Sequence, residues 1–357
     1  MNKRVFGADV LLLLTAAVWG FGFVAQRTGM QYVGPFAFNG IRFILGSLSL
    51  FPLIAWRKKL KSKAESKTGV SSKKILLLSS LLAGTCLFIG VALQQLGMMA
   101  TTAGNAGFIT GLYVVLTPVF GIFLGRKTGK ATWIGAVFTF TGLYYLSSSG
   151  PMKGFNPGDL IIAVSAVFWA FHVLIIDRLV QRNDPIELSA GQFIVAGLYA
   201  LTAAFLLEPV LSGWLGSLGT DSSLGTDSSL GTSALAGAFL PAGTDNLFAW
   251  KSFPALISGL ASGAIPFALV SGTIIPILYG GLGAVGIGYT LQVVAQKVAP
   301  PAHATIILCL EGSFAALGGI LLLHEPMGAR TILGFALMLT GMLVSQWELI
   351  RGRGESA

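Results

Sequence analysis

With 54% of its 357 residues hydrophobic and only 10% charged, the chain lies far from a soluble domain, in which roughly 25% of residues are charged. Apolar runs near the ~20 residues that cross a bilayer recur along nearly its whole length, which excludes a water-soluble enzyme and points to an all-α polytopic membrane protein. The net charge of +9 sits mostly in loops, eight basic residues lying between Arg57 and Lys74, so it reports orientation and not a nucleic-acid surface.

Taken in order, ten spans are expected, at about 9–26, 36–56, 75–97, 102–124, 131–149, 158–176, 188–207, 274–295, 302–323 and 329–347. The first run follows Lys3 and Arg4 as the core of a signal peptide would. It recurs as residues 160–174 deep in the chain, so it reads as an uncleaved membrane helix. Between 209 and 272 an insertion carries the hexapeptide Gly-Thr-Asp-Ser-Ser-Leu twice, at 219–224 and 225–230, and reads as a disordered outer loop. After it, Pro254 to Gly272 is apolar, glycine-rich and nearly long enough to be an eleventh span, which would move the basic Arg351 and Arg353 outside; a re-entrant or surface-lying segment is the preferred reading. Cys86 and Cys309 lie inside apolar runs, which argues against a disulfide framework or a metal site.

The spans fall into two copies of one unit. Ile89–Leu124 aligns without a gap on Ile287–Leu322 at an offset of 198, with Gly90 on Gly288, Gln94 on Gln292 and Ala106 on Ala304. An offset of 150 sets Asp9 on Asp159, Trp19 on Trp169 and Phe43 on Phe193. Residues 1–150 and 151–349 are therefore expected to be two repeats of five spans. An odd number of spans turns the second repeat over relative to the first. With both termini cytoplasmic, eighteen of the 23 basic residues collect on the inner side and four on the outer, as the positive-inside rule requires.

Polar side chains inside spans carry the functional signal, because a charge at the helix centre costs about 2.5–3.5 kcal/mol on insertion scales. Arg42 and Glu311 are expected to face protein or a wet cavity, Arg42 to hold a carboxylate and Glu311 to titrate or hold an amine; the other reading is a structural ion pair, or an arginine snorkelling to the interface. Gln94 and Gln292 are equivalent in the two copies, and either offer donors and acceptors on the pseudo-axis or bond neighbouring helices. Trp19 and Trp169 sit near mid-membrane and, with Tyr113 and Tyr289, either line a path or pack. His172 reads more simply as a packing residue than as a proton carrier. Asp177 reads as paired with its neighbour Arg178, and Asn105 and His303 as helix caps. No G-x-x-x-x-G-K-[ST] loop, metal cluster or nucleophile elbow occurs, so no cofactor is expected and transport would be passive or coupled to a proton or sodium ion.

The order Ala16-Ala17-Val18-Trp19-Gly20, Arg42-Phe43, Gln94-Gln95-Leu96-Gly97, Thr101 through Ile109, and Leu310-Glu311 with His324-Glu325-Pro326 resembles the EamA branch of the drug/metabolite transporter superfamily. The resemblance covers the whole chain except the insertion. It implies a ten-helix inner-membrane carrier of small metabolites such as amino acids, a five-plus-five inverted repeat. It also implies a central cavity with Trp19, Gln94, Tyr113, His172, Gln292 and Glu311 in lining positions. Where the family often has Glu-Pro, this chain has Glu311-Gly312, which removes a proline-based reason for a kink there. A membrane scaffold that carries nothing is the competing class, and an intramembrane enzyme lacks a nucleophile beside Glu311 or His172.

Overall fold

A computed structural model describes residues 3–30, 33–63, 73–100, 103–126, 128–147, 157–220, 274–323 and 328–350. The basic loop around 64–72, most of the 209–272 insertion, the Pro254–Gly272 segment and His324–Pro326 lie outside these residues. Every described element is helical: α1 (Lys3–Met30), α2 (Pro35–Lys63), α3 (Lys73–Ala100), α4 (Ala103–Thr110), α5 (Tyr113–Phe123), α6 (Lys130–Ser147), α7 (Pro157–Leu179), α8 (Pro185–Thr220), α9 (Ile275–Ala295), α10 (Pro301–Leu308), α11 (Glu311–Leu323) and α12 (Ala329–Ile350). Six are long and apolar enough to cross a bilayer, and Tyr113–Phe123 and Ile332–Ser345 are shorter apolar helices. Large apolar side chains such as Leu77, Leu82, Val137, Phe205 and Leu343 are exposed around the bundle. A continuous exposed apolar surface of this kind is covered by lipid, and the protein is a multi-pass membrane protein.

The closest packing joins the first half to the second. α2 lies on α8, α3 on α7 and α8, α6 on α12, and α1 on α9 and α11. The two expected repeats are thus interlocked, and the core is common to both. Helices approach to backbone contact where glycines cross. A Cβ at Gly97 of α3 would lie 2.8 Å from the Gly158 carbonyl of α7, and one at Gly158 would lie 2.7 Å from the Gly97 carbonyl.

Two expected spans are broken, and at the same place. α4 ends at Thr110 and α5 begins at Tyr113; α10 ends at Leu308 and α11 begins at Glu311. Each boundary is displaced by 198 residues from its mate. The bonds that tighten the chain repeat as well: Leu112 N–H to Ile109 and Val114 N–H to Gly111 in one copy, Leu310 N–H to Ile307 and Gly312 N–H to Cys309 in the other, all 3.0–3.1 Å. These three-residue steps leave carbonyls without helical partners. The Cys309 thiol lies 3.8 Å from the Gly111 carbonyl at the first break, so the two breaks meet. A break at Glu311 therefore forms without the proline whose absence argued against a kink.

α9 departs from α-helical winding. Tyr279–Tyr289 is wound as a π-helix, a stretch that holds Gly280, Gly281, Gly283, Gly286 and Gly288. The wider turn frees carbonyls toward α1. Trp19 Nε1 donates to the Ala284 carbonyl (3.1 Å), and the Thr15 hydroxyl to that of Gly288 (3.2 Å).

At one end of the bundle, ion pairs join the halves. Arg57 bonds Asp184 at 3.1 Å, Lys58 bonds Glu187 at 3.1 Å, and Arg126 pairs with Asp177. The expected Asp177–Arg178 pair is replaced by this last contact. Adjacent residues on a helix point about 100° apart, and Arg178 instead donates to the Leu124 carbonyl.

Candidate functional site

A cavity lies where the breaks meet, about 550 Å³ counting the solvent space it opens to, with walls from α1, α2, α3, α4, α5, α7, α9, α10 and α11. Eight sequence-predicted residues border it: Trp19, Arg42, Gln94, Tyr113, Trp169, Tyr289, Gln292 and Glu311. His172 does not. It is buried beside the cavity, its ring edge-on to Trp169 and Tyr289, with Nε2 2.9 Å from Gln192 Oε1. Three residues after Trp169, it sits about 60° round α7 from that side chain, and its ring meets Gln192 of α8.

The polar groups are held by local structure. Arg42 is 3% exposed, its Nε donating to Asn39 Oδ1 one turn earlier at 2.8 Å. Its guanidinium carbon lies 5.1 Å from the Phe43 ring centroid and 5.6 Å from that of Phe38, within cation–π range. Glu311 is the first residue of α11 and Tyr113 the first of α5, equivalent positions at the two breaks. The Tyr113 hydroxyl is buried against the Cys309 thiol and the Glu311 carboxyl group. No ion pair joins Arg42 to Glu311 among the described residues, so the structural-pair reading of these two charges does not hold.

The amides differ in their commitments. Gln94 donates to the Thr110 hydroxyl at 3.1 Å, just ahead of the first break. Gln292 donates to Gln296, which in turn donates to the Val173 carbonyl. This leaves Gln292 Oε1 buried and unpartnered. Gln94 bonds a residue of another helix and Gln292 a residue one turn on along its own, and both side chains border the cavity.

Tyr289 is the site residue that the sequence undervalued. Its ring lies 4.4 Å from that of Trp19 and 6.1 Å from that of Trp169, stacked on the latter at 16°. Phe43 and Phe193 pack on it at 6.0 Å. Its equivalent at offset 198 is Val91, so the repeat comparison gave it no weight. The glycine cluster before it was the available signal. Gln26 and Thr110, also on the wall, carried no signal of their own. Chemically, the cavity presents one cation, one carboxyl group, amides and an aromatic wall, which supply charge, hydrogen-bond donors and acceptors and apolar surface. No group of three or more metal-ligating side chains occurs among the described residues.

Comparison with known proteins agrees with this architecture. An Archaeoglobus fulgidus protein described as an uncharacterized transporter is 31% identical over 204 residues, 57% of this chain and 58% of its own length. The chain thus spans little more than half of that relative. The Escherichia coli K12 protein described as the uncharacterized inner membrane transporter YedA is 25% identical over 227 residues, 59% of this chain and 67% of its own. A solved crystal structure at 17% identity superposes over 98% of this chain and 99% of its own with a TM-score of 0.64, which shows the fold. The profile described as the EamA-like transporter family matches residues 7–148 and again 228–346, and on that match the chain belongs to the EamA-like transporter family, within the drug/metabolite transporter superfamily.

Proposed function

We propose that this protein is a secondary transporter, a permease that moves small zwitterionic metabolites of the amino-acid kind across the cell (inner) membrane by alternating access. In this reading ten membrane helices form two inverted five-helix repeats with both termini cytoplasmic, α4–α5 and α10–α11 each counting as one broken span. The swapped pairings of α3 with α7 and α1 with α9 support a two-fold relation. The observation that carries the reading is the cavity at the meeting of the two breaks, in which Arg42 and Glu311 are both present and not paired with each other. Arg42 holds the carboxylate, Glu311 the ammonium, and Trp19, Trp169 and Tyr289 take the apolar part. Half-helix N-termini at a midplane site add partial positive charge for the carboxylate.

The test is uptake of a panel of labelled amino acids by proteoliposomes. The double variant Gln94→Leu and Gln292→Leu is expected to lose uptake to background while eluting as folded protein. Undiminished uptake by the double variant would put the path elsewhere. A wild-type protein that moves no member of the panel would overturn the substrate class.

A further inference from the structure

Away from the cavity, three polar side chains from three helices converge where α1, α10 and α12 meet. His303, the third residue of α10, is 2% exposed, and its Nε2 lies 2.9 Å from Asp9 Oδ1 of α1. Its Nδ1 lies 3.3 Å from Ser345 Oγ of α12. The same hydroxyl lies 2.8 Å from the Met342 carbonyl, three residues earlier. The expected role of His303 as a helix cap is not observed, because its ring reaches across to other helices.

The donor and acceptor inventory of this cluster closes in two protonation states. With a neutral ring, Nε2–H donates to the Asp9 carboxylate and Nδ1 accepts the Ser345 hydroxyl. With a protonated ring, Nε2–H still donates to Asp9, Nδ1–H donates to Ser345 Oγ, and the serine hydroxyl turns to the Met342 carbonyl. One proton is gained, one hydroxyl rotates, and no buried group is left without a partner in either state. His172 lacks this property, since its Nδ1 has no partner. A buried unsatisfied group costs about 1–3 kcal/mol, so a site that avoids the penalty in both states can gain and lose its proton reversibly.

The other ionisable groups at this end of the elements packed against α10 include Arg4 on α1, Lys130 on α6, Glu348 on α12 and Arg178 on α7, then Arg126 after α5 and Asp177 on α7. The last two pair with each other, and Asp9 supplies the charge that contacts His303.

We propose that Asp9, His303 and Ser345 form a proton-binding site, separate from the cavity, that takes up and releases one proton during the transport cycle. The site joins two helices that border the cavity: α1, through Trp19, Phe23 and Gln26, and α10, through Leu308. His303 precedes Glu311 by eight residues, about 12 Å at helical rise. Proton occupancy strengthens the tie between α1 and α10, and so biases how these two walls sit. The binding of the proton stands on this geometry alone; its coupling to solute movement rests on the transport reading above.

The experiment follows from there being three histidines in the chain. Protein carrying ring-13C histidine, in nanodiscs without solute, is titrated from about pH 5 to 9 by NMR, a range that brackets the ordinary imidazole transition. The signal absent in His303→Asn identifies the site, and asparagine is the residue that the first repeat carries at this position, Asn105. The expected result is a His303 signal that moves with pH in wild type. In Asp9→Asn its transition is displaced by on the order of tenfold in proton affinity, the effect of removing an adjacent charge. A His303 signal fixed across the range overturns the proposal, as does a transition that Asp9→Asn and Ser345→Ala leave in place. In proteoliposomes, His303→Asn is expected to keep solute exchange but to lose pH-gradient-driven accumulation at least about tenfold, and retained accumulation removes the coupling role. Because the NMR arm contains no solute, it reads the proton site whether or not the proposed substrate class is correct.

Discussion

Removing either charge from the cavity wall is expected to change which solutes cross, and in opposite senses. Arg42→Met should reduce uptake of a zwitterionic amino acid about 30- to 150-fold, the kinetic equivalent of losing one charge-assisted hydrogen bond of about 2–3 kcal/mol. Glu311→Gln should give a loss of the same order. The discriminating measurement uses truncated solutes. Decarboxylated amines should discriminate little between wild type and Arg42→Met, while des-amino acids should be insensitive to Glu311→Gln. Arg42 is half-enclosed by Phe38 and Phe43, its Nε already bound to Asn39, so methionine fills much of the same volume and the fold should survive. If both variants retain wild-type rates and selectivity, these charges do not meet the solute.

The second large effect is on stability. Gly158→Leu should lower the yield of folded protein and its thermal midpoint, because a side chain there collides with the Gly97 carbonyl of α3 and with Ala100. Overpacking costs about 1–3 kcal/mol when side chains alone must shift. Here a helix backbone stands in the way, so the cost should reach or exceed the upper end. With an unfolding entropy of about 2 cal/mol/K per residue, a chain of 357 residues shifts by roughly 1.3 °C per kcal/mol, so melting should fall by about 4 °C or more. Gly7→Ala is the control: a Cβ at Gly7 meets nothing within 4 Å, and alanine favours helix over glycine by about 1 kcal/mol. Equal melting of the two variants would show that α3 and α7 do not cross at backbone contact. The same crossing sets the cavity, since Gln94 lies one turn from Gly97 and Trp169 three turns from Gly158.

Several partnerships were open to only one kind of reading. The register at offset 198 identified the amide pair Gln94 and Gln292, and the rarity of charge inside spans identified Arg42 and Glu311. These survive into the cavity wall because few side chains in a bilayer protein can be polar, and those few must face inward. Asp177 could not be paired correctly from its neighbours in sequence: Arg178 is adjacent along the chain, but Arg126 faces it in space. His303 was read as a local cap for the same reason, and its partners, Asp9 and Ser345, lie 294 and 42 residues away.

Membrane insertion, the run of apolar helices and the duplicated order were legible in the amino-acid sequence by itself. Each is a local property, set by hydropathy over about 20 residues or by residue identity at a fixed offset. The helix breaks at equivalent points, the π-wound stretch that brings Tyr289 between two tryptophans, and the choice of ion-pair partners were decided only by the tertiary structure. They depend on which backbone carbonyls are freed and which helices cross closely, and hydropathy does not encode that geometry.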